Sequence, residues 1–413
     1  MIAISFDEKV KIGLQYALET LHGCSPFGLE RIRRLRFYTP EERPALETEL
    51  YNVQALAVHN EELKDTFTRL MTLLCQIKDI RNSLRRCQNG EVPDHVELFE
   101  IKGYLQRLSD IRPLLAAINE TAGLKDTALH DPAAALDILD PNHTGSRGFY
   151  IPDSMTEKLR QIRRSKKELE EKLHEAKTDA QKDELRLQRT RICAEEESEE
   201  TKIRRDMGAR LAPLAEAMLA DAESAGRLDF IIQKALFAVR YGGVMPQITD
   251  GTLELTEMVN PELCDLLSEQ GRSFVPVSIS LDRGATVITG ANMGGKSVAM
   301  KTVALNVLLM QAGFLVCAKE AKMPLFESVL MLFEDMQSIQ SGLSGFGSEI
   351  VQFQKALAQV EQGYSLFLLD EFARGTNPDE GAVIVQAVTK YLNGVNAISL
   401  LTTHYDKVAD CGK

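Results

Sequence analysis

"ATVITGANMGGKSVAMKTVALNVLLM", residues 285–310, decides how this chain is read. Four of its first five residues are Thr, Val, Ile and Thr, and β-branched side chains favour a strand. A glycine-rich stretch follows, and after it a long apolar run that reads as an amphipathic helix. Across the joint, Gly290 to Ser297 spell GxxxxGK[ST]. Strand, loop and helix in that order are the context that gives the motif its meaning. Gly290, Gly294 and Gly295 let the backbone turn tightly, so that N–H groups converge on phosphate oxygens. The helix starting near Lys296 aims its positive end at the same point. Lys296 adds a point charge for the β and γ phosphates, and the Ser297 hydroxyl is placed for Mg²⁺. The stretch therefore predicts a nucleotide site.

Such a site needs a carboxylate from a second strand. "SLFLLDEFARGTNPDEG", residues 365–381, supplies one. Leu366 to Leu369 form a short apolar strand that ends in Asp370 and Glu371. Asp370 is placed to hold the Mg²⁺ shell and Glu371 to polarise an attacking water. "AISLLTTHYD", residues 397–406, is a further buried strand, ending in His404. That histidine either senses the γ phosphate or serves as an ordinary structural side chain. From about residue 244 onward, β-rich runs alternate with helical ones. This alternation predicts a parallel sheet covered by helices.

The rest of the chain reads differently. Residues 1 to about 113 carry apolar positions at spacings of 3 and 4, as in "YNVQALAVHNEELKDTFTRLMTLLCQI", and read as helices. Met155, Leu159, Ile162, Leu169, Leu173 and Ala176 follow a coiled-coil spacing interrupted by Lys166. The pattern breaks at "CAEEESEE", residues 193–200, and helical texture returns from about 200 to 238, so an antiparallel helical hairpin is expected. Between Met155 and Ala225 there are sixteen Lys/Arg against seventeen Asp/Glu. A hairpin so balanced is a solvated arm rather than an electrostatic clamp.

Composition sets outer limits. The 413 residues are 44% hydrophobic and 26% charged, the balance of a globular chain with more than one core. No apolar run reaches the roughly 20 residues that span a bilayer. The charged N-terminus "MIAISFDEKVKIGL" does not read as a signal peptide. The seven cysteines are scattered, as expected of free thiols in a reducing cytoplasm. A net charge of −12 opposes nucleic acid overall, although a local basic face could still bind it.

"TGANMGGKS", "SIQSGLSGFGSE", "LLDEFARGTNPDEG" and "LTTHYD" occur here in one order. Together they closely resemble the MutS family, a branch of the ABC-type ATPases. Upstream, "ALETLHGCSPFGLERIRRLRF", "IKDIRNSLRRCQNGEVPDHVELFEIKGYLQRL" and "GFYIPDSMTEKLRQI" resemble that family's core and lever helices. "MVNPELCDLL" and "RSFVPVSISL" resemble the entry to its ATPase domain. The resemblance implies a multidomain chain: an all-α core over 1–153, lever helices over 154–240, and an α/β P-loop (ABC-type) ATPase domain over 241–413. It implies ATP and Mg²⁺ as cofactors, with Asn292 and Met293 in the phosphate loop, Asn292 touching the γ phosphate and Phe274 stacking on adenine. It also implies a role for the Ser/Gly loop of residues 338–350. In the family that loop reaches across a dimer, so Ser344 would grip the γ phosphate held by the other subunit. A homodimer, or a heterodimer with a related subunit, follows.

Three departures from the family pattern are visible. No segment before the core corresponds to the mismatch-reading domain, and "LFEIK" sits in a helical pattern. The clamp at the lever tip is reduced to a few acidic residues around "CAEEESEE", which should repel phosphates. The chain stops at Lys413, where the family continues with a strand and a helical dimerisation segment. Two partners therefore stay open: mismatched or branched DNA, or a metabolic enzyme such as a cobalamin-dependent aminomutase remodelled at the expense of ATP. A membrane is not expected.

Overall fold

A computed structural model of the chain describes residues 2–146, 148–290, 294–333, 345–360, 363–373, 376–405 and 408. Helices fill the first part. They are α1 (Phe6–Ile12), α2 (Leu14–Glu19), α3 (Pro26–Arg33), α4 (Arg43–Val58), α5 (Asn60–Leu74), α6 (Arg81–Gln88), α7 (His95–Ala122) and α8 (Ala133–Leu139). Two long helices, α9 (Glu157–Glu175) and α10 (Asp179–Leu211), form an antiparallel pair, and α11 (Ala215–Tyr241) returns through the core. The whole "LFEIK" stretch, residues 98–102, lies in α7, which opens on an Asp94–Glu97 capping box. Close approach builds the α3–α11 contact. A Cβ on Gly226 would stand 2.6 Å from the Phe27 Cβ, and one on Gly28 would stand 2.1 Å from an Asp229 carboxylate oxygen. Asp229 uses that nearness to accept from the N–H groups of Cys24 and Ser25 and from the Ser25 hydroxyl.

The hairpin corrects one expectation. The acidic run 193–200 is not at its tip but inside the uninterrupted helix α10; the turn is at residues 176–178. The run continues as helix because its charges are matched. Glu196 pairs with Arg163 and Lys166 of α9, Glu200 with Arg163, and Glu199 with Lys158 and Lys202. Lys166, the polar break in the seam, is thereby explained. From Glu170 to Arg191 acids and bases are equal in number, so the tip is neutral rather than acidic.

Among the described residues the C-terminal part holds two four-stranded sheets. Strands β1 (Gln247–Thr249), β2 (Leu253–Met258), β3 (Val277–Leu281) and β5 (Glu320–Pro324) form the first, in the order β1-β5-β2-β3. Only its β1–β5 pair is parallel; the rest is antiparallel, a mixed sheet that the alternation of strand and helix did not foretell. The second sheet comprises β4 (Gly284–Thr289), β6 (Ser328–Leu332), β7 (Ser365–Leu369) and β8 (Ala397–Thr403), in the order β4-β8-β7-β6, all parallel. Helices α13 (Lys296–Gln311), α14 (Gly345–Val360) and α15 (Pro378–Leu392) fall between its strands, and α12 (Pro261–Glu269) precedes β3. β7 and β8 are buried along their whole length, as strands covered on both faces must be.

Helix α13 is buried all round rather than amphipathic. Thirteen of its sixteen residues are buried, because β2 and β8 pack on it while α1 and α2 cover it from the far end of the chain. The six cysteines among the described residues are free thiols. Among the described residues no helix is long and apolar enough to cross a membrane.

Candidate functional site

Ligands of open α/β sheets sit beyond the carboxyl ends of the strands, and Gly290, Gly294, Gly295, Lys296, Ser297, Asp370, Glu371 and His404 gather there. β4 leads into Gly290, whose φ is +144°, and α13 begins after Gly295, whose φ is +83°. Both angles lie where a Cβ is poorly tolerated, so glycine is the residue these turns need. Gly294 and Gly295 are exposed, presenting bare backbone at the mouth of α13. The buried Lys296 folds back so that its Nζ donates to the Gly290 carbonyl at 2.7 Å, bracing the two sides of the loop. Asn292 and Met293 lie outside the described residues, as does Ser344.

The carboxylates come from β7. Its five residues are buried, and the chain emerges at Asp370 beside α13. Ser297 Oγ donates to Asp370 Oδ1 at 2.8 Å, joining the start of α13 to the end of β7. Thr402, buried near the end of β8, donates to the same Oδ1 at 2.6 Å. The Thr402 hydroxyl in turn accepts from the Glu371 N–H at 2.9 Å, and the Thr402 carbonyl accepts from it at 3.1 Å. Glu371 itself has φ +50°, a left-handed conformation that costs a non-glycine residue about 1–2 kcal/mol. Ala373 follows at φ +64°. The turn is held by its surroundings: Ala373 N donates to Glu349, and Tyr405 OH donates to the Ala373 carbonyl. Burial, then the charge of Glu349, pushes the Tyr405 phenol up, so it remains a donor. Strain held this firmly concentrates at working sites.

Register fixes the third strand. β8 pairs with β4 so that Thr403 lies beside Thr289. His404 therefore emerges, exposed, next to Gly290, its ring 4.1 Å from that of Tyr405. Phe274 stands apart. It is half-buried in the segment before β3, a strand of the first sheet, and no hydrogen bond or ring contact among the described residues ties it to the loop. Sequence reasoning missed Thr402 and Glu349. Thr402 had a visible signal, a hydroxyl residue closing an apolar strand.

A profile of the MutS family, described as MutS domain V, matches residues 286–413. Over that stretch the chain is similar to the MutS family. It is 36% identical over 221 residues to Endonuclease MutS2 of Agathobacter rectalis, covering 52% of this chain and 27% of that protein. It is 35% identical over 230 residues to Endonuclease MutS2 of a Geobacillus species, covering 55% of this chain and 28% of the relative. The DNA mismatch repair protein MutS of Haloquadratum walsbyi matches more of the chain, 83%, at 28% identity over 357 residues and 36% of its own length. The chain thus spans roughly a quarter to a third of the curated relatives it matches.

Proposed function

We propose that this chain binds ATP with Mg²⁺ at the carboxyl edge of its parallel sheet and hydrolyses it, and that the bound nucleotide joins two subunits. One observation carries the reading. Ser297 and Asp370, from α13 and β7, bring a hydroxyl and a carboxylate oxygen to 2.8 Å of each other beside a glycine-rich helix N-terminus and a buried lysine. Two oxygen donors so placed suit a hard divalent cation, which prefers carboxylate, hydroxyl and phosphate oxygens. Bound there, Mg²⁺ would neutralise charge on the phosphates.

Each residue then has a task. Gly290, Gly294 and Gly295 offer backbone N–H groups, with Asn292 and Met293 completing the loop and Asn292 reaching the γ phosphate. Lys296 exchanges its Gly290 carbonyl for phosphate oxygens. Glu371 accepts the proton of the attacking water, its backbone pinned by Thr402 so that the carboxylate meets the water at one angle. His404 senses the γ phosphate, Ser344 grips it from the second subunit, and Phe274 stacks on the base. The same reading divides the chain into a core over 1–153, a lever over 154–240 and an ATPase domain over 241–413.

DNA is the polymer partner we favour. The relatives bear names tied to DNA mismatch repair or nuclease activity, and the neutral hairpin tip removes the electrostatic objection raised by an acidic one. No observation favours a metabolic enzyme. Glu371→Gln tests the core of the proposal. Phosphate release should stop while Mg·ATP still shifts the chain to a dimer in sedimentation. Continued hydrolysis by the variant removes Glu371 from its role, and a monomer in saturating Mg·ATP removes the second subunit.

A further inference from the structure

The far end of α13 carries a second charged junction. Lys234 of α11 is 1% exposed, and its Nζ donates to the Ala312 carbonyl at 2.8 Å, just past the end of α13, and to Glu49 Oε1 of α4 at 2.9 Å. Glu49 is 3% exposed, and its other oxygen accepts from Arg227 Nε at 3.1 Å. The Lys234 ammonium also lies 4.1 Å and 5.1 Å from the ring centroids of Phe230 and Phe314. Gly313 makes the fit. Its φ is +78°, and a Cβ there would stand 2.7 Å from Glu49 Cγ and 3.1 Å from Lys234 Nζ. Beside it, Gln311 donates from Nε2 to the carbonyls of Tyr38 and Phe326, and Tyr38 N donates to the Gln311 carbonyl.

A buried ion pair is a weak device for stability alone, since apolar side chains of similar size serve as well or better. It is a strong device for register. With Lys234 held to Glu49 of α4, its bond to the Ala312 carbonyl is at normal length only at one axial position of α13. The ammonium also faces the negative end of the helix dipole. The opposite end, sixteen residues or about 24 Å away, carries the glycine loop and Lys296.

We infer that Lys234 is a positioning residue of the nucleotide site: by tying the carboxyl end of α13 to Glu49, it fixes the axial register of the helix that bears the phosphate loop and passes any shift of that helix to α4 and α11. The inference rests on the nucleotide reading above. Loading phosphate at one end of α13 then changes the exchange behaviour of α11, the helix that continues from the hairpin into the core.

Hydrogen exchange by mass spectrometry on the whole chain, with and without Mg·ATP, tests this in wild type, Lys234→Met and the double variant Lys234→Met/Glu49→Leu. Wild type should slow exchange both at residues 294–301 and across Arg227–Ala238. Lys234→Met leaves the buried Glu49 with Arg227 alone and should lower the urea midpoint. The double variant should recover most of that loss but, with the register of α13 released, bind Mg·ATP about three- to tenfold more weakly, so exchange is compared at saturating nucleotide. It should protect 294–301 on binding but no longer protect Arg227–Ala238. A double variant that still transmits protection overturns the inference, as does a wild type whose α11 ignores bound nucleotide. A wild type with no response even at 294–301 overturns the nucleotide reading beneath it, so the two failures are distinct. Gly313→Ala displaces the same junction without removing a charge. It should also uncouple α11, which keeps the test open if the double variant does not fold.

Discussion

Asp370 separates folding from metal binding when two substitutions are compared. Its Oδ1 accepts from the buried Thr402 hydroxyl at 2.6 Å and from Ser297 Oγ at 2.8 Å. Asp370→Ala strands the Thr402 donor, which is 1% exposed and cannot turn to water, whereas half-buried Ser297 can. Leaving one buried donor unsatisfied costs about 1–3 kcal/mol. Asp370→Asn keeps a carbonyl oxygen in the same place and loses only the charge assistance, about 1 kcal/mol or less. For the cation the order changes, because a hard divalent ion loses its anionic oxygen in both variants. The preference for Mg·ATP over ATP alone should fall about tenfold or more, equivalent to about 1.4 kcal/mol, in each. Urea unfolding gives the first quantity, and titration calorimetry with ATP, with and without Mg²⁺, gives the second. If Asp370→Asn keeps the wild-type magnesium dependence, the carboxylate does not serve the metal. If Asp370→Ala unfolds at the wild-type midpoint, the Thr402 bond does not exist in solution.

Further consequences concern the scaffold. Gly28→Ala places a methyl 2.1 Å from an Asp229 oxygen, within a buried cap; it should cost at least the 1–3 kcal/mol of ordinary overpacking, read as a lower urea midpoint. Phe367→Ala removes a fully buried ring stacked 5.7 Å from Phe353 and should cost about 3–5 kcal/mol, with loss of Mg·ATP binding before global unfolding is complete. At the hairpin base, a hydrogen bond from Arg163 holds the Asp153 carboxyl below its ordinary 3.8. Burial pushes Glu196 upward, but Lys166 and Arg163 outweigh it and hold it below its ordinary 4.5. Carboxylates depressed in the folded state give stability that is complete above those ordinary values and lost as pH falls through the lower folded ones. Helicity measured by circular dichroism should therefore fall as pH drops below 4.5. Arg163→Met should remove part of that fall; an unchanged profile would dissociate the arginine from it.

The parts of the site legible in the sequence are those set by local chemistry. Gly290 and Gly295 mark turns that require positive φ, and Leu366 to Leu369 mark a strand buried on both faces, so loop and acidic strand could be placed before any contact was known. What escaped depends on distant partners. α13 reads as amphipathic until α1 and α2, nearly three hundred residues earlier, cover its outer side. The run 193–200 reads as a break because its acids look unpaired, yet Arg163 and Lys166 answer them from the facing helix. The true turn lies at 176–178 without Gly or Pro. Its signal was Thr178, whose hydroxyl accepts from Gln181 N as the N-cap of α10. Thr402 escaped for a similar reason: its importance lies in joining Asp370 to the Glu371 backbone across two strands.

Calorimetric titration of the wild-type chain and of Lys296→Ala with Mg·ATP tests the site most directly. Lys296 is buried against the loop and supplies its point charge, so the wild type should bind one nucleotide per chain and the variant at least about tenfold more weakly, with its urea midpoint little changed. Equal affinity in the two proteins, or no saturable binding by the wild type, would contradict the account.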